Sequence, residues 1–342
     1  MTKLQRVIAL LLALVLAVGL TACGAAAEPE KVESEEPAAT APDESGSERT
    51  EQALEETASW LLETVPEAGF GSVGGEWLVL GLARSGLEVP AGYYETYFET
   101  VAAYTAELGG VLHERKYTEY SRVILAMTAI GRDPTDVGGY NLLTPLADYE
   151  QTVFQGINGP IFALLALDSG NYEIPENAAE SIQATRELYV DAILGGELPS
   201  GGWSFSGGGD AEADLTAMAL QALAKYRDRP DVDEAVEHGL TALSEMQSGT
   251  GDFLFGGEAS CESVAQVIVA LTELGIPAGD ARFVKAGNTL EDCLLRFRNG
   301  DGSFRHIPDG EADVMATEQA FYALAALSRQ EQGKATLYTM TD

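Results

Sequence analysis

Gly202-Trp203-Ser204-Phe205 leads into Asp214-Leu215-Thr216-Ala217-Met218-Ala219-Leu220-Gln221-Ala222-Leu223, and the same design returns twice downstream. Asp252-Phe253-Leu254-Phe255 precedes Glu262-Ser263-Val264-Ala265-Gln266-Val267-Ile268-Val269-Ala270-Leu271, and Gly302-Ser303-Phe304 precedes Thr317-Glu318-Gln319-Ala320-Phe321-Tyr322-Ala323-Leu324. Each copy is a Gly-aromatic loop followed by a run of small and aliphatic residues that opens on polar groups. Recurrence roughly every 50 residues is the period of a repeat architecture. One unit cannot cover its own apolar face, so the copies must stack on one another.

Working outward from these copies, apolar helices are expected near 75–84, 118–129, 159–167, 214–224, 262–274 and 316–327. Between them fall more polar helices near 51–64, 93–107, 143–152, 176–194, 231–246 and 281–297. Gly86, Gly131, Gly170 and Gly275 stand where members of the apolar set stop, as suits the residue that enters the left-handed region most easily. Six buried helices alternating with six surrounding ones describe an all-α fold, the α/α toroid. An open solenoid of the same helix pairs is the competing arrangement; the count of six and the matched loop positions favour closure.

At the N-terminus, Lys3 and Arg6 precede an apolar run from Val7 to Leu20, too short to span a bilayer comfortably and of signal-peptide length. It ends in Leu20-Thr21-Ala22-Cys23-Gly24, the bacterial lipoprotein cleavage box, in which the Cys thiol is acylated. The expected organisation is a lipoprotein signal peptide at 1–22, an acidic Ala/Glu/Pro linker at 23–47, a toroid domain at 48–330 and a short tail at 331–342. The linker lacks aromatic residues and cannot bury enough apolar surface to order itself. The protein is thus expected at the cell membrane, lipid-anchored at Cys23 and facing away from the cytoplasm. Its formal net charge of −34 excludes nucleic acid and disfavours anionic lipid as partners. Beyond Cys23 only Cys261 and Cys293 remain, and sequence leaves open whether they are bridged.

The Gly-aromatic loops and Ala-Leu helices resemble the prenyltransferase and squalene cyclase repeat superfamily, whose members are α/α toroids. The likeness runs from about Trp60 to Leu327 and looks closest to secreted bacterial members. It is carried by segments such as Tyr117-Thr118-Glu119-Tyr120-Ser121-Arg122, Gln155-Gly156-Ile157-Asn158-Gly159-Pro160 and Met315-Ala316-Thr317-Glu318-Gln319-Ala320. The resemblance implies the fold; activity would require the active residues as well. Cyclases that protonate an alkene carry Asp-x-Asp-Asp-Thr-Ala, with the middle Asp as general acid. Here the matching stretch is Glu212-Ala213-Asp214-Leu215-Thr216-Ala217, in which Asp214 keeps the middle acid and Leu215 removes a carboxylate. Trp60, Trp77 and Trp203 are few tryptophans for a cage that must stabilise carbocations. Zinc-dependent prenyltransferases need Asp-x-Cys and a later His. Ala259 stands at the Asp position before Cys261, and His113, His238 and His306 show no ligand spacing. No metal and no cofactor is therefore expected.

In such a toroid the inner helices bring their N-terminal ends to one mouth. Glu119, Arg122, Asp214, Glu262, Gln266, Glu318 and Gln319 are the expected ligand-binding residues there. Helix capping alone accounts for Asp, Glu, Ser and Thr at helix starts. It does not call for the amides of Gln266 and Gln319, which suggest an inter-helix network or ligand contacts. The loop aromatics Phe70, Trp203, Phe205, Phe253, Phe255 and Phe304 are expected to wedge neighbouring helix pairs together. The expected function is that of a cell-surface lipoprotein whose toroid binds an extracellular glycan, peptide, small molecule or surface protein at its acidic mouth, without chemistry. The alternative is an enzyme: an isoprenoid cyclase or prenyltransferase with a degenerate motif, or a carbohydrate-active toroid using paired carboxylates. Asp214, Glu212 and Asp210 are the candidate catalytic residues for that alternative.

Overall fold

The computed structural model describes residues 44–178 and 181–341. The expected signal peptide, Cys23 and residues 23–43 of the expected linker lie outside the described residues. Twelve α-helices are found among the described residues. They are α1 (Glu44–Thr64), α2 (Glu76–Ser85), α3 (Tyr93–Glu107), α4 (Thr118–Ala129), α5 (Tyr149–Val153) and α6 (Asn158–Ser169). They continue as α7 (Arg186–Leu194), α8 (Ala213–Leu223), α9 (Pro230–Met246), α10 (Cys261–Glu273), α11 (Leu290–Leu295) and α12 (Val314–Glu331). A two-stranded hairpin pairs β1 (Leu254–Phe255) with β2 (Glu258–Ala259) ahead of α10.

The even-numbered helices form a closed inner ring. Each packs on the next even helix, and α12 returns to α2. Closure rules out the open solenoid. The inner helices are apolar nearly all round, as buried helices must be; α6, for example, buries Ile161 and every residue from Ala163 to Leu167. Outer helices pack behind inner ones: α5 and α7 on α6, α9 on α8, α11 on α10 and α1 on α12. Polar residues on α9 face away while Val232, Ala235, Val236, Gly239 and Leu240 are buried.

Three outer helices are shorter than periodicity predicts, each for a local reason. Pro145 opens a 3-10 turn, and Asp148 then caps α5 by accepting the Gln151 N–H. Gln183 is bridged to Asp148, and α7 starts only where Thr185 caps it by accepting the Leu188 N–H. Thr289 and Asp292 form a capping box that starts α11. Conversely, α1 begins at Glu44, ahead of the expected Glu51. Its first turns are docked by Arg49, which pairs with Glu291 and Asp292 of α11, and by the buried Thr50.

The repeated loops are built alike. Thr216 Oγ1 accepts the Trp203 N–H at 3.0 Å, and Thr317 Oγ1 accepts the Phe304 N–H at 2.9 Å. Trp203, Phe253 and Phe304 are fully buried and wedge the helix pairs, as expected. Phe205 and Phe255 do not: they are exposed. Gly86, Gly131 and Gly275 take the left-handed conformation at helix ends, but Gly170 does not; Asn171 does, at φ 52°. Gly170 is needed for space instead, because a Cβ there would lie 2.4 Å from the Tyr172 ring.

The segment after α12 crosses the C-terminal ends of the inner helices. Arg84 of α2 donates to the carbonyls of Thr336, Leu337 and Thr339. The Met340 N–H reaches Ser169 of α6, and the Tyr338 N–H reaches the Glu273 carboxyl of α10. Leu337 and Tyr338 are buried there. One end of the ring is thus covered by the chain itself. Cys261 and Cys293 are both buried free thiols.

Candidate functional site

The N-terminal ends of the inner helices lie at the opposite end of the ring, and contacts among side chains and loops join α12 to α2, α2 to α4, α4 to α6, α8 to α10 and α10 to α12. Glu76 of α2 is fully buried and accepts from Arg122 Nε of α4 at 2.7 Å and from the Gly71 N–H. Arg122 also pairs with Glu119. Burial pushes the Glu76 carboxyl up, and the Arg122 charge opposes it. Next around the ring, Glu318 of α12 accepts the Gly74 N–H at 2.8 Å through Oε1, while its Oε2 is buried without a partner. Glu318 is 1% exposed. Burial pushes its carboxyl up to about 8; the Gly74 N–H opposes this, and the charges of Glu76 and Asp313 add to it. It therefore holds a proton at neutral pH.

A second cluster joins α8, α10 and the loop before α12. Asp214 hydrogen-bonds with Ser263 of α10, and its Oδ1 is buried and unpartnered. Burial pushes the Asp214 carboxyl up, Ser263 opposes this, and Glu262 and Glu212 add to it. Asp214 does not cap its helix: no side chain caps the start of α8, and Glu212 instead accepts the Phe205 N–H at 2.9 Å. Glu262 Oε2 lies 2.7 Å from His306 Nδ1 and accepts from Ser260. Asp210 is exposed on the Gly207-Gly208-Gly209 loop.

Deeper in the ring, side-chain amides link three helices. Gln221 Nε2 of α8 donates to Gln266 Oε1 of α10 at 3.0 Å, and Gln266 Nε2 donates to Gln319 Oε1 of α12 at 3.0 Å. Tyr322 also joins Gln266 and Gln319. Beside it, Trp77 contacts both Tyr322 and Phe162, with ring centroids 6.0 and 5.8 Å apart. These amides and aromatics tie the inner helices together within the ring.

The expected residues thus fall into three groups. Glu119, Arg122 and Glu318 lie around the start of α2, Asp214 and Glu262 lie between α8 and α10, and Gln266 and Gln319 share one amide network. Gln221, Tyr322 and His306 complete these groups and were not singled out by sequence. Gln221 and Tyr322 lie within the repeated helices, Gln221 two turns beyond Asp214, so helical spacing carried a signal for them. His306 carried none.

Solved structures with the same architecture are of several kinds. A glycosidase in complex with glucose is similar at a TM-score of 0.56 and 12% identity, over 84% of this chain and 99% of that one. A variant of the type II terpene cyclase MstE from Scytonema is similar at 0.53 and 13%, over 83% and 98%. A polysaccharide lyase is similar at 0.51 and 14%, over 84% and 98%. The fold is an α/α toroid. At such identities the likeness speaks for the toroid alone, and chemistry must be argued from the residues. No family model and no curated protein matches the chain.

Proposed function

We propose that this toroid is a lipoprotein module, acylated at Cys23 and displayed on the outer face of the cell membrane, that binds an extracellular glycan at its open mouth without turning it over. The observation that supports this most is a division of labour at the mouth. Most carboxyls of the inner helices turn inward: Glu76 and Glu318 are buried, Asp214 Oδ1 is covered, and Glu262 is held by His306 and Ser260, while Asp210 and Glu212 before α8 stay exposed. The aromatics turn outward: Phe154 is 54% exposed, Phe205 62% and Phe255 65%. Aromatic faces suit the apolar faces of sugar rings, and polar groups around them suit the hydroxyls. A hydrolytic pair needs two carboxyls open to the same bond. In this reading Glu119, Arg122, Asp214, Glu262, Gln266, Glu318 and Gln319 shape the floor and wall of the mouth.

One observation favours the enzymatic alternative. Glu318 keeps its proton near neutral pH, the state a general acid requires. An oligosaccharide panel incubated with the protein separates the two readings. Binding with every ligand recovered unchanged supports a binding module; new reducing ends, lost in Glu318→Gln, would replace it with an enzyme.

A further inference from the structure

We propose that the glycan seat is a groove between the starts of α4, α6 and α8, and that it takes a short anionic saccharide, a hexuronate chain being the simplest. This rests on the glycan-binding reading and specifies its ligand. Two adjoining cavities, about 420 and 560 Å³, share Gly156 and Phe205 and make one groove. Each has the size of a small-ligand site.

The charge of the groove runs against that of the chain. The sequence holds 54 acidic and 20 basic residues, yet among the described residues no carboxylate lines either cavity. Instead, Arg115 and Lys116 line one of them beside His113, Phe154 and Gln155. Elsewhere at the mouth cations are neutralised, as Arg122 is by Glu76 and Glu119. Neither Arg115 nor Lys116 forms an ion pair with a described carboxylate, including Glu114 next to them in the chain.

The cationic loop is also preorganised. The backbone N–H groups of Arg115 and Lys116 both donate to His113 Nδ1 at 3.0 Å, which fixes the ring proton on Nε2. The Arg115 guanidinium lies 4.2 Å from the centre of the Phe154 ring. Gln155 Oε1 accepts the Thr118 N–H, leaving its NH2 to donate. Asn158 Oδ1 is a covered acceptor without a partner. A sugar ring laid on Phe205 would meet two cations without carboxylate partners, an amide donor and the Asn158 side chain. A carboxylate on that ring satisfies the cations through charge-assisted hydrogen bonds. The ligand is short because cavities of about 420 and 560 Å³ hold only a few sugar rings.

Calorimetric titration with a trigalacturonate and with the neutral galactose trisaccharide, at about 0.1 M salt where distant charges are screened, tests this. The protein is compared with Arg115→Gln/Lys116→Gln, with Arg115→Lys/Lys116→Arg and with Phe205→Ala. The account expects uronate binding that falls about tenfold or more in the double Gln variant, survives in the charge-keeping swap, and weakens in Phe205→Ala. A double Gln variant within about twofold of wild type for the uronate, or a wild type that binds the neutral trisaccharide equally well, overturns the anionic ligand. Failure to bind the uronate overturns it too. If neutral glycans then bind, glycan recognition survives; silence across a wider glycan panel ends that reading as well.

Discussion

Replacing Glu318 by Gln should remove a pH-dependent destabilisation that the wild-type fold carries. In the folded chain the Glu318 carboxyl is pushed up to about 8 from an ordinary value of 4.5. The folded state therefore keeps a proton that the unfolded chain releases, and stability falls as pH rises from 4.5 towards 8, with no further loss above that. At about 1.4 kcal/mol per pH unit, the loss amounts to about 3 kcal/mol at pH 7 and approaches about 5 kcal/mol above pH 8. Gln keeps the shape and the acceptor for the Gly74 N–H but binds no proton. Urea unfolding of both proteins from pH 4.5 to 8.5 reads the difference directly, because the other buried carboxyls contribute to both curves. The stability of Glu318→Gln relative to wild type should climb by about 3 kcal/mol between pH 4.5 and pH 7. A difference that stays constant within about 1 kcal/mol over that range would refute the reasoning.

Gln266→Leu should cost about 1–3 kcal/mol in urea unfolding, because it strips Gln221, Gln319 and Tyr322 of partners in a buried network. Gly302→Ala should cost more than about 2 kcal/mol, since its φ is 91° and its Cβ would lie 2.4 Å from the Glu56 carbonyl oxygen; a lowered melting midpoint checks this. Cys23→Ala should abolish incorporation of labelled fatty acid and move the protein out of the detergent-phase fraction.

The ring was legible in the sequence because burial imposes strong composition. Every inner helix must be apolar on nearly all sides, so Asp214 to Leu223 and Glu262 to Leu271 announce themselves. Outer helices are set by caps and breakers, and the short ones around Pro145, Thr185 and Thr289 were correspondingly overestimated. Position at the mouth was legible too, from polar residues at helix starts. Which of those residues point inward was not. Phe205 and Trp203 stand two residues apart in one loop, yet one is exposed and the other fully buried. That choice depends on how the loop folds back on α7, where the Ile193 carbonyl accepts the Trp203 Nε1–H at 2.7 Å. The segment that covers the far end looked like a tail because its burial comes from Arg84, Ser169 and Glu273, which are distant in sequence.

The most direct test of the central claim is to titrate a panel of neutral and anionic oligosaccharides into the wild-type protein and Phe205→Ala, then analyse the ligands chromatographically after prolonged incubation. Saturable binding that weakens in Phe205→Ala is expected, with every ligand recovered intact. Shortened or unsaturated sugars would make the mouth an active site, and an absence of binding across the panel would contradict the account.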